Sequence, residues 1–252
     1  MSQTNSHNQK NDAMRLGGKT LAQVKLGLKQ IIQVGTKFED IESTAQKLIK
    51  EAGMQVSFST VKGYDWATCI TKNAGLCHGI PKNQIVNDGD IISVDVGLIS
   101  RGYHLDSAFT IPVGRVTKKV RHFLQVGQEA LALAIEQAQP GKTVFDISRA
   151  MEKTARKHGF RTVYQLTGHG LGRQLHQEPS IPCVAQPRDK QIVLKENQTV
   201  AIEMMYAMGD AYLELADDGW TYTTNDGSLT GMFEESVLIT KNGPEILTAE
   251  KN

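Results

Sequence analysis

Ile91-Ile92-Ser93-Val94-Asp95-Val96 reads as a short β-strand with a carboxylate inside it, and two later runs repeat the arrangement. They are Thr199-Val200-Ala201-Ile202-Glu203-Met204 and Met232-Phe233-Glu234-Glu235-Ser236-Val237. Taking an isolated carboxylate out of water is costly enough that buried acids are normally paired, neutralised or bound to a cation. Apolar strands that each keep an acid therefore point to a shared positive partner. Asp106 and the glycine-flanked His169 extend the set to five candidate metal ligands: Asp95, Asp106, His169, Glu203 and Glu234.

Around these runs the chain repeats itself. Thr36 is followed by Glu39, then by Ile41, Ala45, Leu48 and Ile49 at helical spacing, and then by Gly53: capping box, apolar face, stop. Thr143, Asp146, Ile147, Ala150, Met151, Ala155 and Gly159 follow the same grammar. Thr36 precedes Asp95 by 59 positions and Thr143 precedes Glu203 by 60, so the two halves look duplicated. A longer helix is expected before each cap, over Arg15 to Val34 and over Lys118 to Ala138. Asp106 follows Asp95 by 11 positions and Glu234 follows Glu203 by 31. An antiparallel pair in each half would bring opposed acids within about 4.5 to 5.5 Å. The expected class is α+β, with helices followed by strands in each half.

The 252 residues carry 28 basic and 27 acidic side chains, a near balance that gives no electrostatic footprint for nucleic acid or an anionic membrane. Residues 1–13 are polar and read as a flexible segment, and residues 14–252 as one domain. No apolar run approaches the roughly 20 residues of a membrane span. Cys69, Cys77 and Cys183 are an odd count without zinc-type pairing, which suits a reducing compartment. A cytoplasmic monomer is the expectation.

Four carboxylates in one cavity repel, each close pair by about 1 kcal/mol in water and about 4 kcal/mol at an effective dielectric of 20. Two divalent cations would relieve that repulsion. A mostly oxygen ligand set with one imidazole accommodates Mn, Fe, Co or Zn. Such a centre activates water and polarises the carbonyl or phosphoryl group under attack, so hydrolysis is the expected reaction type.

These stretches, together with Cys77-His78-Gly79-Ile80-Pro81, Gly168-His169-Gly170-Leu171-Gly172-Arg173-Gln174-Leu175-His176 and Asp218-Gly219-Trp220-Thr221, resemble the methionine aminopeptidase family, bacterial-type branch, over about residues 14 to 248. The resemblance implies the pita-bread fold of the M24 metallopeptidases: a curved antiparallel sheet of two pseudo-equivalent halves backed by helices, with a dimetal site between them. By the same resemblance Asp95 holds one ion, Asp106 and Glu234 bridge both, and His169 and Glu203 complete the second. Glu203 is then the general base, His78 contacts the substrate backbone, and His176 binds the scissile carbonyl. Tyr64, Cys69, Leu175 and Trp220 fall where the family lines its methionine pocket. The implied reaction removes N-terminal methionine from peptides and nascent polypeptides whose second residue is small, in transient association with the ribosome.

The chain departs from the family pattern at several positions. Met204-Met205 follows Glu203 where proline is usual, Glu235 follows Glu234 where histidine is usual, and Met232 stands for glutamine. Cys183-Val184 and Val61 also replace the usual polar or aromatic residues. Adjacent strand residues face opposite ways, so Glu234 and Glu235 cannot both be ligands. Glu234 is taken from the family register, and Glu235, if close, would raise its neighbours' pKa values. His7, His104, His122 and His158 are left as structural or exposed. Two other functions compete: an Xaa-Pro aminopeptidase of the same fold, and a metal-free peptide-binding module.

Overall fold

The structure is a computed structural model that describes residues 3–250. The first half holds α1 (Gln3–Ile31), α2 (Phe38–Glu51), β1 (Gln55–Val56), β2 (Thr68–Lys72), β3 (Gly75–Cys77), β4 (Ile91–Ser100) and β5 (Tyr103–Pro112). The second opens with α3 (Lys118–Ile135), α4 (Val144–Lys157), β6 (Arg161–Thr162), β7 (Thr167–Gly170) and β8 (Gln177–Pro182). It closes with β9 (Thr199–Ala207), β10 (Leu213–Leu215), β11 (Tyr222–Thr224), β12 (Thr230–Thr240) and β13 (Gly243–Ile246). Each half thus runs helix, helix, strands, as the repeat predicts.

Every described ladder is antiparallel. In the first half β4 is central, flanked by β1, β2 and β5. The second half orders its strands β13-β12-β9-β7-β8, with β6 also on β9. A small sheet, β10-β11-β3, joins a strand of the first half to two of the second. Each half has its own apolar core. Phe38, Ile41, Ile49, Val94, Val96 and Leu105 pack under α1 and α2, and Phe123, Ile147, Met151, Ile202 and Tyr206 pack under α3 and α4.

The cap at Thr143 forms as read: the Asp146 carboxylate accepts from the Thr143 N–H and hydroxyl, both at 2.8 Å. The cap at Thr36 is displaced by one residue. Lys37 is the N-cap and its N–H meets Asp40, whereas Glu39 accepts from the Asn83 N–H at 2.6 Å. Thr36 instead ends α1 by donating to the Ile31 carbonyl at 2.9 Å.

The expectation of a flexible segment over residues 1–13 is corrected from Gln3 onward, because α1 starts there; residues 1 and 2 lie outside the described residues. The polar first turns show no apolar period, yet Asn11, Ala13 and Met14 are buried. They are held from 186 residues away, by Asn11 Nδ2 donating to Asn197 Oδ1 at 2.8 Å.

Candidate metal centre

Strand parity delivers the acids. Glu203 on β9 and Glu234 on β12 are direct Cα partners. On the other side Asp95 is opposite Ala108 and Asp106 opposite Gly97, so these two acids are diagonal neighbours on one face of the β4–β5 hairpin. The opposed pairing expected for both halves therefore holds only in the second. Because β5 packs on β12, the acids form a row across four strands: Asp95, Asp106, Glu234, Glu203.

His169 sits on β7, next to β9, between two glycines that the packing requires. A Cβ on Gly168 would lie 2.5 Å from the Ala201 carbonyl oxygen, and one on Gly170 would lie 2.2 Å from that of Glu178. The His169 Nδ1 bonds to the Gly170 carbonyl at 3.0 Å, which leaves Nε2 free to face the acids. That nitrogen is 3.5 Å from Glu203 Oε1 and 3.7 Å from Asp106 Oδ2.

The row is buried, with no lysine or arginine paired to any of its acids among the described residues. Burial pushes the Asp106 carboxyl up to about 7 and raises Asp95, Glu203 and Glu234 well above the ordinary carboxylate range, with mutual repulsion adding to the last three. Burial also holds His169 down at about 4. Asp95 Oδ1, Asp106 Oδ1 and Glu234 Oε1 have no hydrogen-bond donor although no water reaches them. Donor atoms of Asp106, His169 and Glu234 all lie within 4.8 Å of one another. Unpaired buried oxygens, a neutral imidazole and no protein cation are the donor set a divalent ion needs.

Glu235 points the other way. It bonds to Lys25 of α1 at 2.9 Å, a lysine only 1% exposed, and accepts from Thr248. Its charge is paired there, yet it still adds to the upward push on Glu234, in the expected direction and as the smallest of several effects.

All five candidate ligands line one cavity of about 280 Å³, together with His78, His176, Tyr64, Cys69, Leu175 and Trp220. The His176 ring stands edge-on to His169 with centroids 4.5 Å apart. His78 has φ +57°, a left-handed backbone that a histidine adopts at a cost and that aims it inward, with its ring 5.7 Å from Tyr222. Burial lowers the pKa of both histidines, so each is neutral near pH 7 and offers one N–H donor. Tyr64 packs edge-on to Trp220 at 5.0 Å and donates to the Thr68 carbonyl at 2.8 Å. Of the histidines left aside, His7 is exposed and His104 is buried against Ser57 at 2.8 Å. His122 and His158 stand edge-on to each other, and neither lines the cavity.

The reading from sequence assigned no place in the site to Phe58, Gln165, Leu166 and Thr167, nor to Cys77, Met205 and Met232, which it noted only in motifs or as departures; all line the cavity. Two of them were accessible: Met205 and Met232 are Cα partners two residues from Glu203 and Glu234, and a strand's period of two puts them on the ligand face. Cys77 ends β3, Thr167 starts β7, Phe58 opens a 3-10 turn, and Gln165 and Leu166 lie in a loop, segments that only the fold brings together.

Residues 11–241 match the metallopeptidase family M24. The methionine aminopeptidase of Aquifex aeolicus is 38% identical, covering 94% of this chain and 95% of its own length. The crystal structure of a methionine aminopeptidase from Thermotoga maritima superposes with a TM-score of 0.93 at 35% identity, over 96% of this chain and 97% of that one. A prolidase from Pyrococcus furiosus shares the fold alone, with a TM-score of 0.76 at 21% identity over 97% of this chain and 65% of that one. The pita-bread architecture is common to all of them.

Proposed function

The chain belongs to metallopeptidase family M24, and from that premise we propose that it is a metal-dependent aminopeptidase that releases N-terminal methionine from peptides and nascent proteins, preferring a small second residue. Divalent-metal binding comes with the family. The observation that carries the reading is the buried row Asp95, Asp106, Glu234, Glu203 with its donorless oxygens, set in a cavity with His169, His176 and His78.

A row four strands wide fits two ions better than one. Asp106 and Glu234, in the middle, would be shared; Asp95 would serve the ion on one side, and Glu203 with His169 the ion on the other. Mn, Fe, Co and Zn all suit these donors. When bound, divalent ions supply an acidified water and polarise the carbonyl under attack.

The side chains do the rest. Glu203, whose proton affinity burial raises, accepts the proton of the attacking water at a carboxylate oxygen. His176 donates an N–H to the scissile carbonyl oxygen as charge develops there. His78 donates to the peptide backbone and orients it. Tyr64, Cys69, Leu175 and Trp220 enclose the methionine thioether, a group that aromatic and sulfur neighbours suit.

Three buried free thiols and the absence, among the described residues, of a helix able to cross a membrane support a cytoplasmic setting, where the enzyme would act as a monomer meeting nascent chains at the ribosome. Turnover of Met-Ala-Ser against Ala-Pro-Ala, with and without added divalent ion, tests the function: metal-dependent release of methionine alone is expected. Equal or preferential cleavage of the proline peptide would favour the Xaa-Pro reading instead.

A further inference from the structure

The two halves abut along β5 and β12, the strands of Asp106 and Glu234, yet among the described residues these strands share no backbone ladder. Hydroxyls join them instead. Ser236 Oγ accepts from the Asp106 N–H at 3.0 Å and donates to the Asp106 carbonyl at 2.7 Å. Thr110 Oγ1 does the same for Met232, accepting at 2.9 Å and donating at 2.7 Å. Between them, Ser107 Oγ donates to the Glu234 carbonyl at 2.7 Å. One hydroxyl thus serves both seam-facing backbone groups of a residue that also holds the metal site together.

All of these groups are buried, and the seam is itself anchored: the Ser236 N–H donates to Thr248 Oγ1 at 3.0 Å, and Thr248 donates to Glu235, the partner of Lys25. With alanine at 236 the Asp106 N–H and carbonyl would be left buried and unpaired. The strands could relieve that only by shifting, which displaces Asp106 relative to Glu234. That separation is the one on which two ligands sharing an ion depend.

We propose that Ser236 and Thr110 are positioning residues of the metal centre, whose hydroxyls take the place of a β-ladder and set the spacing of Asp106 and Glu234. The inference rests on the reading of the row as a metal site. Ser100 provides a matched control. It is equally buried, on β4, and donates to the Ala13 carbonyl at 2.7 Å, away from the ligands.

The test is calorimetric titration of metal-free protein with Mn²⁺, alongside thermal melting. Ser236→Ala is expected to weaken Mn²⁺ binding about 10- to 100-fold, the range for groups that orient ligands. Ser100→Ala should lower the melting midpoint but bind as wild type. Thr110→Val, which keeps the shape and loses the hydroxyl, should weaken binding, and Thr110→Ser should restore it; this pair decides the matter if Ser236→Ala does not fold. Wild-type affinity in both Ser236→Ala and Thr110→Val, or equal weakening in Ser100→Ala, would overturn the proposal. A wild-type protein that takes up no Mn²⁺ is a different failure, that of the metal reading beneath it.

Discussion

Glu203 and Glu234 face each other directly across the β9–β12 ladder, two acids in a position where unlike charges normally sit. Like charges directly opposed destabilise a sheet, and here burial and Asp106 compound the effect. A divalent cation of the kind the family binds would offset that repulsion.

In the metal-free protein, stability should fall as pH rises. The four acids titrate near 4 when unfolded, whereas in the fold Asp106 is held at about 7 and burial raises the other three well above the ordinary range as well. The folded state then holds the extra protons, so its stability is full below about pH 4 and is lost as pH climbs through the folded values. His169, held at about 4, gives the opposite slope, but that ends near its unfolded value of about 6.5. Above about pH 6.5 only the acids act, each retained proton contributing about 1.4 kcal/mol per pH unit. Melting of chelated protein between pH 6.5 and 8.5 checks this: a falling midpoint is expected, abolished by Mn²⁺.

Asp106→Ala and His176→Ala should separate metal holding from rate. Removal of a central ligand takes metal and activity together. Loss of His176 should leave metal content intact and lower kcat by about 10²- to 10³-fold, as for other oxyanion donors. Metal analysis beside steady-state kinetics distinguishes the two, and equal metal loss in both variants would contradict the assigned roles.

Lys25→Met leaves the part-buried Glu235 without its cation and should cost up to about 3 kcal/mol in urea unfolding. Glu235→Gln should likewise lower stability while leaving the pH profile of turnover in place, because Glu235 faces α1 and not the cavity. A shifted profile would mean that its small effect on Glu234 carries through to turnover.

Cys69, Cys77 and Cys183 should be inert in the folded protein. Burial raises all three thiols, Cys183 to about 12, where its S–H donates to the Glu203 carbonyl at 3.0 Å. A disulfide reagent at pH 8 should find no rapidly reacting thiol in the native state and three after denaturation.

Asp95, Glu203 and Glu234 stood out as candidate ligands because an acid in an apolar strand contradicts its surroundings, a conflict written in the local sequence. The Thr143–Asp146 cap and the α3 start were legible for a similar reason, being written within one turn. What local pattern could not give was anything settled by distant partners. The first turns of α1 are polar and are held by Asn197. Glu235 gains its meaning only from Lys25, and the diagonal offset of Asp95 and Asp106 depends on a hairpin register that spacing alone leaves open. The choice of Glu234 over Glu235 came from resemblance; apolar parity along the strand pointed the other way, since β12 is buried on both faces.

The most direct test of the central claim is titration of chelated protein with Mn, Fe, Co and Zn while following Met-Ala-Ser cleavage and bound metal together. The account predicts no cleavage without metal, saturable recovery, and up to two ions bound per chain. Full cleavage by chelated protein, or recovery with no ion bound at the Asp106→Ala-sensitive site, would contradict it.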